Sequence, residues 1–312
     1  MLRFGLRTLN TVRINGIRMY ARDLSVKVGV AYQGKYKKPN ILKEDGTPDC
    51  GEDAYYCETD PSKYSGKEKM IASIGMADGV GGYTEVGVDP SVFAWKIMEY
   101  TKQKTLEDSL IDDPRTALEE AHQKVISEKL IPAGGCTVSV ANMFYPEGSD
   151  QLFMQYTNLG DSSIMVVRDG KILFKSQEQT HFFNCPYQLS IPSNGESIFD
   201  SAKEKADSFD QGQNLELLEG DYVVVATDGL WDNLFTDQIL TIIKAVQEDE
   251  SSVSQQEIIE LTAFLLLRNT LLVACSTKYQ TPFSAYAKSH MIRHAGGKYD
   301  DITIAVAKIV KE

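Results

Sequence analysis

Histidine is scarce in this chain, four residues in 312, and the five cysteines (Cys50, Cys57, Cys136, Cys185, Cys275) form no CxxC pair and no regular spacing. Those two absences argue against the nitrogen–sulfur donor sets of zinc sites and against a disulfide framework. Only His290 and His294 stand four apart, a spacing that predicts a shared, solvated helix face. Long apolar runs are also missing. The most apolar stretch, residues 261–275, is interrupted by Arg268 and Asn269 and is too short to span a membrane, so a buried helix is expected there. Basic charge is in deficit: 32 Lys and Arg against 44 Asp and Glu give −12. Such a balance speaks against a nucleic-acid binder, which needs a basic face to replace phosphate counterions. What is present, 42% hydrophobic and 24% charged residues, suffices for one large domain and excludes a disordered or collagen-like chain.

Acid is absent from one place, the N-terminus. Residues 1–22 hold Arg3, Arg7, Arg13, Arg18 and Arg22 with no Lys, Asp or Glu, which leaves −17 on residues 23–312. On a helix, Leu2, Leu6, Leu9 and Val12 make one apolar stripe beside an arginine-rich face, with Thr8 and Thr11 as hydroxyl residues. That is the profile of a mitochondrial transit peptide and not of a secretory signal, and Arg18-Met19-Tyr20-Ala21 resembles a matrix processing site. The expectation is a transit peptide over 1–22, one folded body over 23–312, and a matrix location that suits reduced, mostly buried thiols.

In the body, alternation predicts strands at 24–31 and 70–77. Asp89-Pro90 and Asp113-Pro114 mark two helix starts as N-cap and N1. A run of strands follows between 136 and 176, with Asp169-Gly170 as a type I′ hairpin signal. Residues 191–214 form a polar excursion of the kind that is usually functional or mobile. A buried strand over 221–229, helices near 236–247 and 254–272, and a last strand from 300 complete the chain. Grouped strands and helices indicate α+β, with antiparallel sheets flanked by helices.

Four aspartates share one context, the end of a strand next to glycine or another small residue: Asp78 in GMADGVGG, Asp161 in NLGDSS, Asp228 in VVATDGLW and Asp300 in KYDDITI. Their separations are too long for any helix face, so only strand ends meeting in space could gather them. Clustered carboxylates repel, and cations would be needed to keep them charged. Oxygen-only donors of this kind suit Mg2+ or Mn2+.

The ordered segments GEDAYY (51–56), ADGVGG (77–82), GGCTVSVA (134–141), NLGDSS (158–163), GDYVVVATDGLWDNL (220–234) and DDITIAVA (300–307) resemble the metal-dependent protein phosphatases of the 2C type, across essentially the whole body. ADGVGGYTEVGVDPS and QTHFFNCPYQLS are similar to the mitochondrial branch in particular. The resemblance implies a central antiparallel β-sandwich flanked by helices on both faces. It implies two Mg2+ or Mn2+ ions bridged by Asp78 and bound by the Gly79 carbonyl, Asp228 and Asp300. Glu52 and Asp53 would hold waters beside them, Asp161 would help to bind a weaker third ion, and Asp301 falls at the family's Asn position. The implied reaction is attack of a metal-bridging hydroxide on phosphoserine or phosphothreonine without a covalent phosphoenzyme, in keeping with the absence of a CxxxxxR motif. Phosphorylated matrix proteins, with coenzyme Q biosynthesis as a candidate pathway, are the implied partners of an expected monomer.

Two departures stand out. Pro48 occupies the place of the arginine with which many members hold phosphate, and Val80 the place of a histidine proposed as general acid. A lysine such as Lys43 is a candidate substitute. The aromatic segment 179–189 is expected in the core, as most such segments are, with a substrate- or partner-facing role as the alternative. Two other classes of function remain open: a pseudophosphatase that uses the fold for binding, which should lack a metal ligand, and a two-metal hydrolase of small phosphate esters. Asp78, Gly79, Asp228 and Asp300 are all present.

Overall fold

Apolar residues occupy both faces of several strands, so those strands must be covered on both sides, and the layering follows from that. The computed structural model describes residues 24–191, 205–209, 213–248 and 254–311. The expected transit peptide at 1–22 and most of the 191–214 excursion lie outside the described residues.

Strand β1 (Leu24–Gln33) pairs along its whole length with the last strand. After it come β2 (Asp53–Glu58), β3 (Lys69–Gly79), helix α1 (Pro90–Glu107) and helix α2 (Pro114–Glu128). The meander β4 (Gly134–Tyr145), β5 (Leu152–Leu159), β6 (Ser163–Arg168) and β7 (Lys171–Lys175) follows. Five short strands come next: β8 (Thr180–Phe182), β9 (Cys185–Pro186), β10 (Leu189–Ile191), β11 (Asp207–Ser208) and β12 (Leu215–Leu217). Then β13 (Tyr222–Ala226) leads into a one-turn helix α3 (Asp228–Trp231), α4 (Thr236–Glu248), α5 (Gln255–Ala274), α6 (Pro282–Ser289) and β14 (Ile302–Lys311).

One sheet has the order β1-β14-β13-β6-β7. The other runs β11-β5-β4-β3-β2, with β10 beside β4 and β12 beside β5. All these pairings are antiparallel. Between the sheets, Ile74, Met76, Ala141 and Met143 meet Ile164, Val166, Val223, Val225 and Ala305. Outside the first sheet, Val224, Ile304 and Val306 pack under Ile239, Ile243, Ile259 and Leu266 of α4 and α5. Outside the second, Ala77, Val138 and Val140 pack under Phe93, Ile97, Leu118 and Ala121 of α1 and α2. The result is the expected α+β sandwich with helices on both faces. Burial on two faces explains the unbroken apolar runs: all twelve residues of β4 are buried.

Local signals are realised in detail. Asp89 and Asp113 accept hydrogen bonds from Ser91 N and Thr116 N, with Pro90 and Pro114 in the first turn. Asp169 and Gly170 have φ of 51° and 71°, as a type I′ turn requires. The apolar stretch 261–275 falls almost wholly in α5, and among the described residues no helix is long and apolar enough to cross a membrane.

Several expectations are corrected. Most of the aromatic segment 179–189 is not core: β8 and β9 form a surface hairpin with Phe182 69% exposed, and only at its end do Tyr187 and the buried Leu189 join the core under α1 and α2. Its Phe183 finds its partners a hundred residues later, stacking on Phe283, Tyr286 and His290. His290 and His294 do not share a helix, because α6 ends at Ser289. Strand β13 stops at Ala226, and Asp228 opens a helical turn instead of closing a strand. Of the thiols, Cys50 and Cys136 are buried, Cys57 and Cys185 half-buried and Cys275 exposed.

Candidate metal centre

Antiparallel pairing brings the start of β2 beside the end of β3, with Asp53 opposite Asp78 and Asp78 opposite Thr137 of β4. At the same end of the sandwich lie the β5–β6 connection with Asp161, the β13–α3 junction with Asp228, and the approach to β14 with Asp300. These elements enclose a cleft of about 260 Å³ lined by Glu52, Asp78, Gly79, Asp161, Asp228 and Asp300 among others. Five carboxylates that are far apart in sequence therefore face one cavity. The ridge residues Gly79, Gly81 and Gly82 also line it, and a Cβ on Gly79 would stand 2.7 Å from the Glu52 carbonyl oxygen. Gly160, with φ of 102°, lets the chain turn so that Asp161 enters the cleft.

The paired acids divide their work. Glu52 lines the cleft, whereas Asp53 is fully buried behind it, its Oδ2 accepting from Thr227 Oγ1 at 2.9 Å. Likewise Asp300 lines the cleft, while Asp301 is turned inward and accepts from Lys35 N at 2.5 Å and Glu52 N at 2.9 Å. Asp301 thus ties the β1 end and the Glu52 loop to the start of β14.

Negative charge dominates the electrostatics. Burial, and then the charges of Asp228, Asp53, Asp300 and Asp161, push the Asp78 carboxyl well above the usual carboxylate range. Asp161 is raised by burial and by Asp228, and Asp53 by burial and by Asp301. Asp232, one turn after Asp228, is pushed up to about 7, chiefly by burial. Two buried carboxylate oxygens, Asp53 Oδ1 and Asp228 Oδ1, have no hydrogen-bond partner. A buried anionic oxygen without a donor is costly, and a hard cation satisfies it.

These residues fit Mg2+ or Mn2+: the cleft offers carboxylate and carbonyl oxygens, with neither Cys nor His in its lining. Among the described residues, no three Asp, Glu, His or Cys side chains are gathered tightly enough to enclose an ion by themselves.

Two lysines that sequence reasoning missed enter the same cleft. Lys35 Nζ lies 2.7 Å from Asp300, and Lys298 Nζ bonds Asp228, Asp232 at 2.7 Å and Asp300 at 3.4 Å. Lys43, the lysine suggested by the sequence, does not line the cleft. The only local signal for Lys298 is its place two residues before Asp300. Asn184 and Pro186 of the aromatic hairpin also line the opening, which no local pattern announces.

Comparison with known proteins agrees with this architecture. No family model matches the chain. It is 32% identical over 281 residues to the protein phosphatase PTC7 homolog fig of Drosophila sechellia, covering 89% of this chain and 83% of that protein. It is also 32% identical over 298 residues to the 5-azacytidine resistance protein azr1 of Schizosaccharomyces pombe, covering 94% of each. Among solved structures, the photosystem II phosphatase PBCP superposes with a TM-score of 0.70 at 25% identity, over 91% of this chain and 98% of that one. The catalytic domain of the serine/threonine phosphatase PstP, solved with two manganese ions, shares the fold at 15% identity and a TM-score of 0.54, over 92% of this chain. With sheets, cleft and relatives in agreement, the chain belongs to the metal-dependent, 2C-type protein serine/threonine phosphatases, alongside the PTC7 homologues.

Proposed function

We propose that this phosphatase dephosphorylates serine and threonine in proteins of the mitochondrial matrix, with water as the nucleophile. Mg2+ or Mn2+ would be held by Asp78, the Gly79 carbonyl, Asp228 and Asp300, with Glu52 and Asp53 beside them and Asp161 at the rim. The observation that carries this reading is the convergence of five carboxylates on one cleft whose Asp228 Oδ1 is buried without a partner. When bound, such ions act as Lewis acids that lower the pKa of water and offset charge on phosphoryl oxygens.

The chain's own residues set the geometry. Asp53 is fixed by Thr227 and Asp301 by two backbone N–H groups, so these two acids, set behind the cleft, hold the Glu52 turn and the approach to β14 in place. Lys35 and Lys298 place ammonium groups in the cleft, where Pro48 leaves the family arginine without a counterpart. Neither Cys nor His lines the cleft, and Val80 stands where many relatives carry a histidine, so the proposed nucleophile is water and not a thiol or imidazole. The matrix address rests on the arginine-rich residues 1–22, and matrix phosphoproteins, those of coenzyme Q biosynthesis included, are the proposed substrates of a monomer.

The test is hydrolysis of a phosphopeptide and of a nucleotide by metal-stripped protein, with and without Mn2+. Expected is Mn2+-dependent phosphate release from the phosphopeptide, lost by at least about 100-fold in Asp78→Asn and Asp228→Asn. Preference for the nucleotide would point to a small-ester hydrolase, and silence towards both to a binding module. Wild-type activity in either variant overturns the site.

A further inference from the structure

Lys298 is held with unusual care for a lysine. Asn233 clamps its backbone from both sides, Lys298 N donating to Asn233 Oδ1 at 2.9 Å and Asn233 Nδ2 donating to Lys298 O at 2.8 Å. Its stem runs past Phe283, whose ring centroid is 5.3 Å from Nζ, and the side chain is only 17% exposed. The ammonium ends among three carboxylates, Asp228, Asp232 and Asp300, and shares the cleft with Asp161. Buried lysines are rare unless paired, and this one is paired to carboxylates that belong to the metal centre, not to a bystander.

We infer that Lys298 is a tethered cation standing where a third, weakly held metal ion would bind, beside Asp161, Asp228 and Asp232, so that this centre works with two ions. The inference rests on the metal-centre reading above and sharpens it.

The physical argument is one of competition. A weak divalent site fills only when the ion is drawn from solution at sufficient concentration. An ammonium on a clamped backbone is present at a high effective concentration whatever the solution holds. To enter between Asp228 and Asp232, an ion would have to break both of its bonds and leave a buried ammonium without partners. Lysine also carries its charge on a compact head with three donors, which matches the three carboxylates around it. Lys298 is therefore a positioning residue: it joins the start of α3 to the approach of β14 and fills the place opposite Asp161. Asp228 Oδ1, which the ammonium does not take up, is left for an ion.

The test counts ions directly. Metal-stripped wild type, Lys298→Met and Lys298→Arg are titrated with Mn2+, and bound ions are counted by calorimetry and by the spin-resonance signal of free Mn2+. Expected is saturation at two ions per chain in wild type, a third in Lys298→Met, and a return to two in Lys298→Arg, which restores the charge. Three ions in wild type overturn the inference, and that measurement does not depend on either variant folding. A Lys298→Met variant that melts as a folded protein yet binds the same number as wild type overturns it as well. Absence of any Mn2+ binding overturns the metal centre itself, so the two failures are told apart.

Discussion

Gly79 and its neighbour Asp78 face opposite demands, one for space and one for charge. A Cβ on Gly79 would meet the carbonyl oxygens of Glu52 at 2.7 Å and Pro90 at 2.9 Å, both backbone atoms that cannot move aside cheaply. Gly79→Ala is expected to cost about 1–3 kcal/mol through overpacking, read as a lowered melting temperature, and to weaken Mn2+ binding by shifting the carbonyl offered to the ion. Glu58, at the far end of β2, shows the reverse of the cleft's electrostatics. Burial alone would raise its carboxyl, but Lys102 and Lys63, each 2.9 Å away, win and bring it down to about 2. Because the folded state binds this proton less tightly than the unfolded one, the ion pair stabilises above pH 4.5 and loses that effect as pH falls towards 2. Urea unfolding of wild type and Glu58→Gln across this range should show a stability gap at neutral pH that closes on acidification. A gap independent of pH would assign the effect to packing instead. At this scale the sequence shows which residue types are unusual, but not their surroundings. Glu52 and Asp53 are adjacent acids, yet Glu52, in the turn before β2, lines the cleft, while Asp53, the first residue of the strand, is buried against Thr227.

Elements announce themselves when their signals are local. The Asp-Pro starts of α1 and α2 place cap and first turn within three residues, and both form as read. Asp89→Ala removes the bond to Ser91 N and should lower stability by about 1 kcal/mol, measured by urea unfolding, while leaving the number of bound Mn2+ ions unchanged. The hairpin of β8 and β9 was not legible. Its aromatic content suggests core, but the apolar surface that receives Phe183 is built by α6, and no pattern within 179–189 refers to residues 283–290. The opening turn of α3 was missed for a related reason. VVVATDG reads as one apolar strand, whereas Thr227 takes the N-cap position and turns the chain so that Asp228 faces the cleft.

On the scale of the molecule, net charge is a poor guide to the working site. The chain carries −12, and the cleft concentrates five carboxylates at one end of the sandwich, where their repulsion opposes folding. Ions that bind the folded cleft and not the unfolded chain stabilise by mass action, about 2.7 kcal/mol per site at a hundredfold excess over the dissociation constant. Metal-stripped protein should therefore melt several degrees lower than the same protein with Mn2+, and Asp78→Asn should shrink that difference. Equal melting temperatures with and without Mn2+ would show that the carboxylates are balanced without divalent ions.

By itself the sequence determined the grouped strands and helices, the helix caps, the arginine-rich head and a family resemblance that implies the two-layer sandwich, because periodicity, capping and motif order are properties of neighbouring residues. Only the tertiary structure decided which acid of each pair enters the cleft, that Lys35 and Lys298 enter it in place of Lys43, and that an aromatic hairpin borders its mouth. Those facts depend on strand register and on contacts between segments as distant as Lys298 and Asp228 or Asp301 and Glu52, and electrostatic partnership follows distance in space, not order along the chain.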